Sequence, residues 1–457
     1  MLKPYAEYQE TPALWIDTIP SNWYSKKVRE LFIERRVKVS DKDYAPLSVC
    51  KAGIVPQLDT AVKTDNGDNR KLVRAGDFVI NSRSDRKGSS GISPYDGSVS
   101  LINLALKPIT DENPMFLHYL LRSVPFTEEY YRNGRGLVAD LWTTRYDELK
   151  NIFLPIPPRS EQDQIVRFLD WKTSEMAHFI KEKKREIRRL RELKKAVVNK
   201  AVTRGLHENT PMQETGIPWL PQIPAHWSIC PLRQFLFAVS EKNHPEMPLL
   251  SVTRELGVIQ RDVEDFDANH NYIPDDLSGY KLVHKGQFVI NKMKAWQGSY
   301  GVSEFDGIVS PAYFIFNLHF PNKEFFHFAI RSRVYVNFFA QYSDGIRIGQ
   351  WDLSMQKMKH IPFFVPPTEE QEEVLRVVPA KIAEIDAMIA ALNDEIALVQ
   401  ELRTKAIADV VTGKVDVRNA EIPQFEVETE ELADEDESDE ESSDEETDEI
   451  TDEEVDE

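Results

Sequence analysis

The chain has 457 residues, 41% of them hydrophobic, with two cysteines and a formal net charge of −20 at pH 7. That length holds two or three domains with real cores, and Cys50 and Cys230, neither in a CxxC pair, exclude a disulfide framework or a cysteine metal cluster and fit a reducing cytoplasm. The N-terminus lacks a basic stretch followed by an apolar run, and runs such as Tyr313 to Phe316 fall far short of the roughly 20 residues that cross a bilayer, so a soluble cytoplasmic protein is expected. The charge is concentrated: Glu426 to Glu457 holds 21 acidic residues and no Lys or Arg, and taking those 21 charges from −20 leaves +1 on residues 1–425.

Two segments about 210 residues apart repeat one another. Lys71-Leu72-Val73, Gly76 and Phe78-Val79-Ile80-Asn81 recur as Lys281-Leu282-Val283, Gly286 and Phe288-Val289-Ile290-Asn291. Gly88, Gly91, Asp96, Gly97 and Ser100 recur as Gly298, Gly301, Asp306, Gly307 and Ser310. The copies extend outward. Ile19-Pro20 with Trp23 matches Ile223-Pro224 with Trp227, Leu47-Ser48-Val49 matches Leu250-Ser251-Val252, and Trp142 answers Trp351. Pro157-Pro158 with Glu161-Gln162 answers Pro366-Pro367 with Glu370-Gln371. Each copy is one domain of ~150 residues, longer than a solenoid repeat, and a pseudo-two-fold pair suits a two-fold partner such as duplex DNA or a symmetric protein dimer.

In chain order, residues 1–158 form a first mixed α+β module: strands bounded by Gly turns, an Asp96-Gly97 hairpin turn and a helix over 114–132. Trp23 and Trp142 are expected core anchors. Residues 159–206 form a long helix: from Ser160 to Arg204 there is no Pro or Gly, and Ile165, Leu169, Met176, Ile180, Ile187, Leu190, Val197 and Ala201 recur at mostly three, four or seven. Residues 207–367 repeat the module, with a helix over 323–341, an Asp306-Gly307 hairpin turn and Trp227 and Trp351 in the anchor positions. Residues 368–415 form a second long helix whose Val378, Ile382, Ile385, Ile389, Leu392, Ile396 and Val399 make a coiled-coil seam. A capping box of Thr368 and Gln371 starts it, Pro379 is expected to kink or restart it, and Gly205 and Gly413 mark the two helix ends. Residues 416–457 are expected as a disordered acidic tail, either a solvated solubility segment or an internal DNA mimic.

Residues 160–205 carry +6 and residues 368–413 carry −6. Opposite charge on matched lengths favours pairing of the two helices within one chain, as an antiparallel coiled coil between modules, over two copies of the same helix; each helix folding back on its own module is the alternative. The expected fold class is therefore α+β, with two repeated domains separated by two long paired helices.

The chemistry reads as recognition and not catalysis. No NPPY-type methyltransferase loop, no GxxxxGK[ST] phosphate loop and no PD…ExK nuclease constellation is present; Ser93-Pro94-Tyr95 and Pro274-Asp275-Asp276 are incomplete echoes. Major-groove reading needs Arg, Lys, Gln or Asn on loops. Directly after the repeated FVIN strands stand Arg83, Arg86 and Lys87 in the first copy and Lys292, Lys294, Trp296 and Gln297 in the second. A second loop places Arg132 and Arg135 opposite Arg347 and Gln350. The loops differ where the flanking strands agree, as two modules reading different half-sites require.

The IPxxW openings and the PPxxEQ segments that run into long helices resemble the DNA-specificity subunit of type I restriction-modification enzymes, over about residues 15–415. The resemblance implies a non-catalytic subunit whose two target-recognition domains each read half of a split, asymmetric sequence. It implies spacer helices, here Ile165, Leu169, Ile180, Ile187, Leu190, Ile382, Ile385, Ile389, Leu392 and Ile396, that set the gap and dock subunits. The implied partners are double-stranded DNA, two adenine methyltransferase subunits and restriction/translocase subunits, with S-adenosylmethionine, ATP and Mg on those partners and no cofactor or metal in this chain. The acidic tail lies outside that pattern. A protein scaffold or antirestriction decoy acting through the tail is one alternative, and an enzyme with an unrecognised nuclease site the other.

Overall fold

The computed structural model describes residues 3–58, 67–136, 142–261, 274, 276–344 and 351–426. They divide into two compact units, one of Met1–Lys184 with the chain from Asn393, the other Arg185–Leu392. The helices used below are α1 Pro114–Arg122, α2 Val124–Arg132, α3 Arg159–Arg204, α4 Lys323–Ile330, α5 Arg333–Gln341 and α6 Thr368–Val411. Among the described residues no helix is long and apolar enough to cross a membrane.

In the first unit, Phe78–Asn81 is an inner strand of a four-stranded sheet, between Ser90–Ile92 and Asn103–Pro108, antiparallel to both. Side chains alternate across a strand. Phe78 and Ile80 face a large core with Phe116, Leu120, Phe126, Tyr130, Ile165 and Leu169, while Val79 faces a smaller one with Leu47, Val73 and Val99. Burial on both faces explains why this strand reads as a continuous apolar run. The second unit repeats the arrangement: Phe288 and Ile290 enter the core with Phe326 and Phe339, and Val289 packs with Leu250, Val283 and Val309.

Several local expectations are corrected. The helices expected over 114–132 and 323–341 are each two, because Ser123 and Ser332 are extended and start a new helix, with Pro125 lacking the N–H that continuation would need. The Asp-Gly pairs do not close a hairpin of two paired strands: Ser90–Ile92 pairs with Phe78–Asn81, whereas Gly97–Val99 pairs with Arg70–Val73. Asp96 and Asp306 instead accept the amides of Ala75 and Lys285, both at 2.9 Å, tying down the neighbouring turn. A Cβ on Gly97 would stand 2.7 Å from the Ala45 carbonyl and one on Gly307 2.5 Å from the Pro248 carbonyl, so both glycines allow a close approach of backbone. Trp23 and Trp227 are core anchors at 1% and 3% exposure, but Trp142 is 38% exposed and Trp351 is half-buried against Trp296.

α3 and α6 are unbroken helices of 46 and 44 residues. α6 runs through Pro379, which is exposed and removes one N–H from the helix without ending it. Instead of a capping box, Gln371 donates to the Pro366 carbonyl (2.8 Å), as Gln162 does to Pro157 (2.9 Å). Gly205 (φ +71°) and Gly413 (φ +76°) follow the helix ends in the left-handed conformation. In the first unit the N-terminal part of α3 runs antiparallel to the C-terminal part of α6, with Lys183–Glu395 at 2.9 Å and Gln164 donating to the Val417 and Ala420 carbonyls. In the second, the C-terminal part of α3 meets the N-terminal part of α6 through Lys194–Asp386 at 2.7 Å and, three residues past the end of α3, His207 pairs with Glu373 at 3.1 Å. Residues 416–422, expected in the tail, belong to the first unit: Val417 is fully buried, and Asp416 N donates to the Lys3 carbonyl. The acidic segment from residue 427 lies outside the described residues.

Candidate nucleic-acid interface

In the first unit the candidate loop leaves the sheet at Asn81 and returns at Ser89. The Asn81 amide donates to the Ser89 carbonyl (2.9 Å), and Asn81 Oδ1 accepts the Arg83 amide (3.0 Å), so one side chain fixes the first residues of the loop. From below, Tyr131 donates to the carbonyls of Asn81 (3.1 Å) and Arg86 (3.2 Å). Burial raises the Tyr131 phenol above its ordinary pKa and keeps it a donor. The second candidate loop joins the first through Trp142-Thr143-Thr144. Ser84 N donates to the Trp142 carbonyl, Thr144 N to the Ser82 carbonyl, and Arg135 and Thr143 exchange a pair of backbone bonds. Arg83 and Arg135 therefore stand on either side of Thr143.

The cations on this surface are exposed, and all but Arg132, which bonds the buried Glu129 through both Nε and Nη2, are loosely held. Arg86 is 3.9 Å from Asp85, Lys87 is 3.0 Å from Glu128, Arg132 is 2.7 Å from Glu129, and Arg135, 83% exposed, is 3.4 Å from Glu148. Arg83 is exposed. Exposed ion pairs contribute ~0–1 kcal/mol, so exchanging a carboxylate for a phosphate costs little.

The second unit builds the same frame with other contents. Asn291 N donates to Ser299 O (3.0 Å), and Asn291 Oδ1 accepts the amides of Met293 (3.1 Å) and Lys294 (3.3 Å). Lys292 pairs with Asp352 (3.0 Å) while its carbonyl accepts Leu353 N, and the Trp296 ring lies 5.2 Å from Trp351. Lys294 and Gln297 are half-buried beside fully buried Ala295. Arg347 and Gln350 lie outside the described residues.

Ser93 Oγ donates to the Tyr95 carbonyl (2.7 Å) just as Ser303 Oγ does to Phe305, so Ser93-Pro94-Tyr95 is one copy of a repeated turn. Asp276 accepts the Ser278 amide; Asp275 lies outside the described residues. Among the described residues no group of three His, Cys, Asp or Glu is placed to hold a metal. Sequence reasoning passed over Thr143, the link between the two loops, and the pairs His118/Arg122 and His327/Arg331, whose identical His-x3-Arg spacing was the available signal.

No family model matches the chain. The type I restriction enzyme EcoDI specificity subunit of Escherichia coli is 23% identical over 357 residues, 72% of this chain and 76% of that protein. The putative type I restriction enzyme MjaX specificity subunit of Methanocaldococcus jannaschii is 20% identical over 442 residues, 88% of this chain and 96% of that protein. A chain from a solved type I restriction-modification system, described for its complex assembly and conformational transition, shares the fold with a TM-score of 0.59 over 87% of this chain and 99% of its own, at 12% identity. By sequence over most of its length and by fold, the chain is a relative of the specificity subunits of type I restriction enzymes.

Proposed function

We propose that the chain is the non-catalytic, sequence-reading subunit of a type I restriction-modification assembly. Each unit reads one half of a bipartite, asymmetric duplex site, and the paired helices set the gap and dock two adenine methyltransferase subunits and the restriction subunits. S-adenosylmethionine, ATP and Mg act on those partners. One observation carries the reading: two frames with the same Asn-locked strand end present different cation-bearing loops, Arg83, Arg86 and Lys87 in one and Lys292, Lys294, Trp296 and Gln297 in the other. Arg and Lys on such loops pair with guanine O6/N7 or with phosphate, and Gln with adenine. Arg132 and Arg135 adjoin the first loop.

The test is co-expression with an adenine methyltransferase subunit in a host free of adenine methylation, followed by genome-wide mapping of modified adenines. A split, asymmetric motif that vanishes when this chain is omitted is the expected result. Methylation that does not depend on the chain would overturn the assignment.

A further inference from the structure

Matching short helices of the two units carry the same pair, His118 and Arg122 on α1, and His327 on α4 with Arg331 at its C-cap. Four residues apart, both side chains leave one helix face. His118 Nδ1 accepts the Ile92 amide (3.4 Å), and Arg122 Nη2 donates to the Lys51 carbonyl. His327 Nδ1 accepts the Val302 amide (3.0 Å), and Arg331 donates to the carbonyls of Tyr300 (3.0 Å), Arg254 (2.8 Å) and Glu255 (2.6 Å). Burial, with the adjacent guanidinium second, lowers both imidazoles to about 4, so each stays a neutral acceptor.

In both units the arginine grips a hairpin turn, the one joining Leu47–Cys50 to Gly53–Pro56 and the one joining Leu250–Thr253 to Gly257–Gln260, while the histidine holds the strand the turn rests on. The turn glycine is pressed onto a strand glycine: a Cβ on Gly91 would lie 3.3 Å from Gly53 Cα, and one on Gly301 3.4 Å from Gly257 Cα. Gly91 and Gly301 are two residues past Ser89 and Ser299, where the candidate loops close, so the glycine on which each turn rests lies within about 7 Å of a loop base. The grip is shared while the gripped residues differ. Lys51-Ala52 is exposed in the first unit; in the second, Arg254 is half-exposed, Glu255 is exposed, and Leu256 is 70% exposed, an apolar side chain held out at a turn tip.

We propose that these turns, Lys51-Ala52 and Arg254-Glu255-Leu256, are a second DNA-reading element in each unit, with the His-Arg pairs as their positioning residues. The inference rests on the DNA-reading function proposed above. An Arg suits guanine O6/N7, a Glu accepts from cytosine N4, an exposed Leu suits a thymine methyl, and a Lys suits guanine or phosphate. Because each turn rests on the strand at which the loop returns, Ser90–Ile92 or Tyr300–Val302, the two would reach neighbouring base pairs of one half-site.

The experiment compares methylation motifs of the full chain, co-expressed with its methyltransferase, against Lys51→Ala, Arg254→Ala with Leu256→Ala, and Arg331→Lys. The tip substitutions are at exposed or half-exposed side chains outside the core clusters and leave the core intact. Arg254→Ala with Leu256→Ala should relax discrimination about tenfold at one or more positions of a single half-site. Lys51→Ala should act only in the other half. Arg331→Lys, which keeps the charge but not the forked reach, should relax the same positions as the Arg254/Leu256 variant. Unchanged motifs in both tip variants would overturn the inference while leaving DNA reading intact. Loss of thermal stability in Arg331→Lys with an unchanged motif would overturn the positioning role. Absence of any motif with the unaltered chain would overturn DNA reading itself, and this inference with it.

Discussion

Glu161 explains why two motifs about 140 residues apart travel together. Its Oε1 accepts Tyr5 (2.7 Å) and the Trp23 indole (2.8 Å), its Oε2 accepts Asn22 (2.7 Å), and it is 6% exposed. In the second unit Glu370 accepts the Trp227 indole (2.9 Å) and faces His226. The Trp of IPxxW and the Glu of PPxxEQ are thus two ends of one hydrogen bond, which the repeated letters signalled but could not join, because the partners are distant in sequence. Glu161→Ala strands three donors and should cost about 2–4 kcal/mol in denaturant unfolding; a cost below about 1 kcal/mol would contradict this account. The buried histidines predict a pH response. Above pH 6.5, His118 and His327 are neutral in both folded and unfolded chains. Between 6.5 and about 4 the unfolded chain binds protons that the folded one refuses, so stability falls on acidification, by up to about 1.4 kcal/mol per pH unit for each. Arg122 beside the first, and Arg331 and Glu304 beside the second, are the charged neighbours. Thermal scans from pH 7 to 5 should show a shallower fall in His118→Gln than in the unaltered chain; equal slopes would rule the histidine out as a source.

The long helices were legible because their period is local; of the expected seam, Val378, Ile385, Leu392 and Ile396 are buried and Ile382, Ile389 and Val399 half-buried. That Pro379 does not interrupt α6, and that each unit takes half of each helix, was not legible, since both follow from packing against remote residues. The Asp-Gly turns misled for a related reason: hairpin chemistry fits any sharp turn, while strand pairing is decided elsewhere in the sheet. The loop cations were readable by position, but their shared platform at Thr143 was not. Within the coil, burial outweighs charge. Lys194 and Asp386 are 38% and 49% exposed, so Lys194→Ala should change stability by less than about 1 kcal/mol, whereas Leu392→Ala, removing a seam side chain, should cost about 2–4 kcal/mol. Urea midpoints measure both, and a larger effect of the lysine would make charge, not packing, the source of helix pairing.

The boundary between the units falls inside both long helices, after Lys184 in α3 and after Leu392 in α6. On the proposed reading, the helix length there sets the gap between half-sites. Four residues added near Arg185 lengthen α3 by about 6 Å and turn it by about 40° beyond one full turn, so the apolar stripe stays close to its face. The antiparallel partner must grow equally to keep the seam matched, which calls for four residues near Asn393 as well. Six ångströms corresponds to roughly two base pairs at 3.4 Å each. The paired insertion should therefore widen the unspecified gap in the methylation motif by one or two base pairs with both half-sites unchanged, while insertion in α3 alone should reduce complex yield. A gap of unaltered length in an active paired variant would show that the helices join the units without measuring the distance, and the spacing would then have to be set by the docked methyltransferase subunits.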